Sequence, residues 1–99
     1  MKNLTIDPYL VDTLMRDLVA HDRSSASFLV YLYLYSRTIA VRVKQIAMSH
    51  QGLADETGLS KSAVQDALRN LVRRELVLSH RETPTSTPLH SVQRPWRRR

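Results

Sequence analysis

Cysteine is absent from the 99-residue chain, so neither a disulfide framework nor a thiolate metal site can hold the fold. Nothing in that absence opposes a reducing compartment, and a cytoplasmic setting is the expectation. No apolar stretch approaches the roughly 20 residues needed to span a bilayer. The opening ten residues, Met1 to Leu10, also lack the charged-then-apolar run of a secretory signal. Four histidines, His21, His50, His80 and His90, are scattered, and none stands at metal-ligand spacing from a carboxylate or another histidine. Nor is there a nucleophile elbow, a glycine-rich phosphate loop or a paired-acid motif. The expectation is therefore a chain without metal or cofactor, without an evident small-molecule ligand, and not an enzyme. A single domain of this length buries only about 60 to 65% of its unfolded surface, which leaves little room for an enclosed catalytic cleft.

What is present is charge, distributed unevenly. The formal net charge is +6. Residues 1–57 hold six cations and six anions, whereas residues 58–99 hold nine cations against Asp66, Glu75 and Glu82, so the whole excess lies in the second part. A one-sided excess suits a polyanion-binding surface, and it equally suits a solubilising tail.

Local patterning divides the chain into elements. Asp7 followed by Pro8 reads as an N-cap and first helical residue, starting a helix from about Pro8 to Ala20. Its Leu10, Leu14 and Leu18, flanked by Val11, Met15 and Val19, recur at helical spacing. Ser24 or Ser25 caps a second helix running to about Ile39. The segment Phe28 to Tyr35 is so apolar that periodicity alone does not separate helix from strand there. Tyr31, Tyr33, Tyr35 and Phe28 cannot all face one small core from one helix, so some are expected at the surface, where exposed aromatics mark a partner. A short strand is expected near Ala47 and Met48. Two helices come next, about His50 to Thr57 and Lys61 to Arg74. Then come a strand from Leu76-Val77-Leu78, a loop Thr83 to Pro88, and a return strand from Leu89 to Gln93. Trp96 is expected to tie down an otherwise partly mobile end.

The spacing of Leu53, Ala54, Gly58, Leu59, Val64, Leu68, Leu71 and Val72 carries the most information. Ala54 suits a close helix approach, Gly58 supplies the left-handed residue of a sharp turn, and Ser60 caps the next helix. Val64, Leu68, Leu71 and Val72 form the expected buried stripe. The opposite face presents Lys61, Ser62, Gln65, Asp66, Arg69 and Arg73.

The run from Gln51 to Val72, QGLADETGLSKSAVQDALRNLV, resembles the helix-turn-helix of bacterial winged-helix regulators, with Ala54, Gly58 and Val64 at that family's diagnostic positions. The resemblance covers about residues 26–95. It implies a mainly α fold with a small β hairpin, in the order helix, helix, short strand, helix, recognition helix, two-stranded wing. Residues 1–25 would be an N-terminal helix and possible dimerisation element, and residues 96–99 a basic tail. It further implies binding of double-stranded DNA, with the helix from Lys61 to Arg74 in the major groove and wing contacts from about Val77 to Gln93.

Within that implication Ser62 and Gln65 are placed to read base edges, Gln65 by a bidentate pair with adenine. Lys61, Arg69 and Arg73 would contact phosphate, while Ser60, Thr57 and the helix N-terminus could hydrogen-bond it. Arg81 and Thr85 would lie along the backbone or minor groove, and Arg97 and Arg98 would add electrostatic grip. Asp66 stands against this pattern. It accepts from cytosine N4, pairs with Arg69 or Asn70, or points away on a rotated helix. A transcriptional regulator acting as a homodimer through its N-terminal helices is the first reading. The alternatives are a replication or plasmid-maintenance factor, and a winged-helix module that binds a protein through its aromatic helix.

Overall fold

The computed structural model describes residues 3–97. Their architecture is mainly helical with one small antiparallel sheet of three strands. The N-terminal helical stretch is followed by α1 (Ser25–Arg37), β1 (Ile46–Ala47), α2 (His50–Thr57), α3 (Lys61–Arg73), β2 (Val77–His80) and β3 (Leu89–Val92). Short 3-10 turns occupy Ile39–Val41 and Pro95–Arg97. No helix among the described residues is long and apolar enough to cross a membrane.

Asp7 caps the N-terminal stretch as expected, accepting from the Tyr9 N–H at 3.0 Å. The stretch itself departs from the expected α-helix. Leu10–Leu14 and Asp17–His21 are π-helical, with Met15 N–H donating to Leu10 O and Asp22 N–H to Asp17 O at 2.9 Å, both i to i+5 bonds. Only the Leu10, Leu14 and Leu18 stripe is buried; the flanking Val11, Met15 and Val19 remain exposed. Arg23, at φ 53°, turns the chain in the left-handed region, and Ser24 N–H closes the end on Leu18 O at 2.8 Å. Ser24, rather than Ser25, then caps α1 by accepting from Ser27 N–H at 3.1 Å.

α1 is the central helix, packing against α3, α2, β3 and the N-terminal stretch. It ends at Arg37, not Ile39, because Thr38 leaves helical geometry and returns its hydroxyl to Leu34 O at 2.7 Å. The central position buries more of the aromatic set than expected, leaving only one of its four members at the surface. Phe28, Tyr31 and Tyr35 are buried, since neighbouring elements cover α1 on several sides. The Tyr31 hydroxyl donates to Gln93 O at 2.8 Å, and the Tyr35 hydroxyl accepts from Asp7 N–H at 3.2 Å. These bonds allow the polar tips to enter the core without an orphaned group. Only Tyr33 reaches the surface region, where its hydroxyl donates to Glu56 at 3.1 Å and Arg37 lies over its ring.

The C-terminal part obeys its local signals closely. Ser49 caps α2 by accepting from Gly52 N–H at 2.9 Å, Gly58 turns at φ 81°, and Ser60 caps α3 by accepting from Ala63 N–H at 3.1 Å. Val64, Ala67, Leu68 and Leu71 form the buried stripe of α3. Val72 does not belong to it and is 42% exposed; Ala67, one turn earlier, faces inward instead. β2 and β3 pair with Val77 opposite Val92 and His80 opposite Leu89. β1 adds to the other edge of β3, giving the order β1-β3-β2 and making the sheet one strand larger than the hairpin alone.

Among the described residues Trp96 ties the C-terminal segment down as expected, on the N-terminal stretch. Trp96 stacks on Tyr9 with ring centroids 4.3 Å apart and donates to Asp7 Oδ2 at 3.1 Å.

Candidate functional site

The amphipathic α3 turns its polar face outward and stands beside the hairpin. Gln65, Arg69 and Arg73 line a groove whose far wall is Ser79, His80 and Arg81, with Pro88 and His90 at its base and His50 at one end. Leu68 and Val72 give this groove an apolar strip, so the exposed valine belongs to the groove rather than to the core.

The cations converge. His50 has its pKa lowered by burial first, then by the positive charges of Arg81, Lys61 and Arg69. These three arrive from the hairpin, the first turn of α3 and its middle. Their fields add at one place, and among the described residues no acidic side chain lines the groove. His90 is also held below the ordinary imidazole range, by burial above all, with His50 and Arg81 adding to the effect and a bond to Met48 opposing it. His90 Nε2 lies 2.9 Å from Met48 O, a pure acceptor, so Nε2 carries the proton and Nδ1 accepts from the Ser79 hydroxyl at 2.8 Å. This neutral tautomer satisfies both ring nitrogens and locks β3 to β2 and to the link between β1 and α2.

The sequence-proposed residues fall into three groups. Lys61, Ser62, Asp66, Arg69, Arg73, Arg81 and Thr85 are exposed on α3 or the hairpin. Arg69 is engaged with Asp66 in an i,i+3 ion pair, and Arg73 donates to Asn70 Oδ1. Asp66 thus takes one of the arrangements open to it. Its pair with Arg69 is well solvated on both sides, a setting in which such pairs are weak and readily exchanged for another anion. Arg81 donates to Ser86 O at 2.6 Å, bracing the hairpin loop from within.

The second group is turned to structural use. Ser60 caps α3, with its hydroxyl 3.3 Å from that of Ser62. Thr57 donates to Leu53 O at 2.6 Å. Gln65 is half-buried with Nε2 3.3 Å from His50 Nδ1. The amide nitrogen gives one of its two N–H groups to His50, so the expected bidentate contact with adenine competes with that tie. Asn70, considered as a partner for Asp66, points the other way. Its Nδ2 donates to Asp22 Oδ2 and Ser27 Oγ, both at 3.0 Å, and joins α3 to the N-terminal stretch.

The third group lies apart. Arg97 donates to Asp7 Oδ2 at 3.3 Å, far from the α3 groove. Arg98 falls outside the described residues.

Sequence reasoning missed His50, Ser79, His80, His90 and Val72 as groove residues. Scattered histidines suggest metal ligation first, and that suggestion fails on spacing. A signal existed in the period-two placement of Ser79 and Arg81 on β2 and its extension, which puts both on one side. No cluster of metal-ligating side chains exists among the described residues. Comparison with known proteins yields no matching family model, no matching curated protein and no matching solved structure.

Proposed function

We propose that this chain is a double-stranded-DNA-binding protein of the winged helix-turn-helix type, acting as a transcriptional regulator. α2 and α3 would be the helix-turn-helix, α3 the recognition helix, and β2–β3 the wing. The observation that carries the reading is that Arg69 and Arg73 of α3 and Arg81 of the hairpin line one open groove with no acidic residue in its lining among the described residues, while Lys61 adds its charge to those of Arg69 and Arg81 in lowering the His50 pKa. Cations gathered along one groove, with Arg69 held only by a solvated pair with Asp66, favour a polyanion, and a phosphodiester backbone binds them with release of its counterions.

In this reading the N-terminal half of α3 enters the major groove. Ser62 and the free Oε1 of Gln65 face base edges, Oε1 as an acceptor for adenine N6 or cytosine N4. Lys61, Arg69 and Arg73 hold phosphates, Arg69 leaving Asp66 to do so, and Arg81 with Thr85 lies along the neighbouring backbone. The exposed Val11, Met15 and Val19 stripe supports a homodimer through the N-terminal stretch, since it lies apart from the proposed DNA face.

Selection of a random duplex library at two salt concentrations, with sequencing of the retained molecules, tests this reading. Affinity is expected to fall with salt at a slope of about 0.9 per neutralised phosphate. Arg69→Ala should weaken all retained sequences alike, whereas Gln65→Ala should relax the preference at one position. No retention at low salt would remove DNA binding altogether.

A further inference from the structure

We infer that the protein has a second polyanion-binding surface, formed by Arg42, Lys44, Arg94 and Arg97 around the end of β3 and separate from the α3 groove, and that it takes the phosphate backbone of a second duplex. The identity of the first duplex rests on the α3 reading above; the second surface stands on its own observations.

Arg42, Lys44, Arg94 and Arg97 line a single groove along Ser91 and Gln93 of the β3 end. Arg42, Arg94 and Arg97 continue into an adjoining depression that reaches the N-terminal residues, so the cations border one continuous trough. Among the described residues, Asp7 is the only acidic one lining either depression. Its carboxylate is bound by the Tyr9 N–H, Trp96 Nε1 and Arg97 Nη1, so it compensates Arg97 and leaves the excess charge to Arg42, Lys44 and Arg94. Among the described residues, the ion pairs of the fold include none made by Arg42, Lys44 or Arg94.

The trough cannot be an extension of the α3 groove. Ser79 and His90 are cross-strand partners whose side chains bond to each other on the α3 side. Side chains alternate along a strand, so Leu78 and Ser91, the next pair in register, face the other way. Ser91 thus opens the trough on that other face, Val92 and Gln93 carry it around the end of β3, and the trough shares no lining residue with the α3 groove of a body measuring 37 × 34 × 29 Å. A straight duplex lying along α3 does not reach it.

Arg42 adds an independent sign. It occupies the left-handed region at φ 60°, where its N–H donates to Ile39 O at 3.2 Å. Glycine fills such a position without strain, and a long cation there is costly to the turn. The position also supplies a clean variant, because Arg42→Gly removes the charge and relieves the backbone together.

The test is capture of one duplex by another. A short duplex is fixed to beads, loaded with the protein and offered a second, fluorescent duplex. The wild-type protein is expected to retain the second duplex. The Arg42→Gly/Lys44→Gln variant, with a melting temperature no lower than wild type, is expected to bind the fixed duplex within about twofold of wild type but to lose about tenfold or more of the capture, as befits the loss of two phosphate contacts. Capture unchanged in the variant overturns the inference and assigns bridging to two α3 faces of a dimer. Single-duplex binding without capture by wild type overturns it too, and leaves the α3 reading intact. Failure of wild type to bind any duplex overturns both. Loss of capture to added polyglutamate but not to unlabelled duplex would make the partner an acidic protein and overturn the choice of nucleic acid.

Discussion

The N-terminal stretch and the α2–α3 pair both bury leucines at helical spacing, Leu10, Leu14 and Leu18 in one and Leu68 and Leu71 in the other, yet they hold their shape by different means. α2 and α3 are fixed locally: Ser49 and Ser60 cap their starts, and Gly58 turns between them. The N-terminal stretch has the local cap of Asp7 and the turn at Arg23, and its ends are fixed in addition by tertiary bonds. Asp7 is held by Trp96 and Arg97, and Asp22 by Asn70, with the Arg74 guanidinium 3.1 Å away. Between those two anchors the helix has adopted i to i+5 bonding. Caps and turn residues thus bind a segment to its own sequence, whereas a segment anchored at both ends takes the hydrogen-bond spacing its anchors allow.

Cutting the core on each side of this contrast strains it hardest. Leu71→Ala in α3 is expected to lower the unfolding free energy by about 3 to 5 kcal/mol, because α3 packs on α1, α2 and β2 and a cavity there is enclosed. Leu14→Ala is expected to cost about 2 to 3 kcal/mol, since its helix is covered on one side only. Denaturant titration measures both, and a larger loss at Leu14 would reverse the ranking. Next in size is Asn70→Ala, which strips a donor from the nearly buried Asp22 and should cost about 1 to 3 kcal/mol. If the N-terminal stretch depends on that anchor, its amides should lose exchange protection before those of α3.

Backbone substitutions give smaller effects of opposite sign. Gly58→Ala is expected to destabilise by about 1 to 2 kcal/mol purely through φ 81°, since no atom lies within 4 Å of the added methyl. Glu75→Gly, at φ 59°, should stabilise by up to about 1 kcal/mol by removing the same kind of strain after α3. Thermal melting that moves both variants in one direction would contradict this.

Acid should strike the two regions in different windows. His50 and His90 are held below the ordinary 6.5, so the unfolded chain takes up protons first. Their contribution is complete above about pH 6.5 and declines as pH falls below it through the lowered folded values. Asp7 lies below its ordinary value through the Tyr9 N–H and the Trp96 bond. Asp22 is raised by burial, but bonds from His21 and Asn70 and the charge of Arg74 outweigh that and bring it low. Stability from these carboxylates is present above 3.8 and is lost as pH falls through their lowered values. Local unfolding on acidification should therefore begin at the β2–β3–α2 junction; melting monitored by NMR across pH checks the order, and an N-terminal stretch that opens first contradicts it.

Much of the C-terminal architecture was legible because its signals act over three or four residues: Ser60 to Ala63, Ala54 to Gly58, and the polar break at Thr83 to Pro88 between two apolar runs. Less of the rest could be read. Val72 keeps an apolar period but is turned into the groove by the end of α3, and burial of Tyr31 and Tyr35 depends on acceptor and donor groups 62 and 28 residues away. The left-handed Arg23, Arg42 and Glu75 carry no glycine or asparagine to announce them. At the candidate site, the cationic side chains on α3 were legible from helical spacing. The tie between Gln65 and His50 was not, because it joins residues 15 apart across a turn.

The proposed division of labour is tested most directly by amide shift mapping, in which a short duplex retained from the library is titrated into isotopically labelled protein. The expected result is shifts concentrated in residues 60–73 and 79–88, joined at higher duplex by those at 42–44 and 91–97 as the second surface fills, all collapsing with added salt, while residues 10–21 stay unmoved. Shifts confined to residues 10–21, or none along α3 at saturating duplex, would contradict a DNA-binding role for α3 and the hairpin.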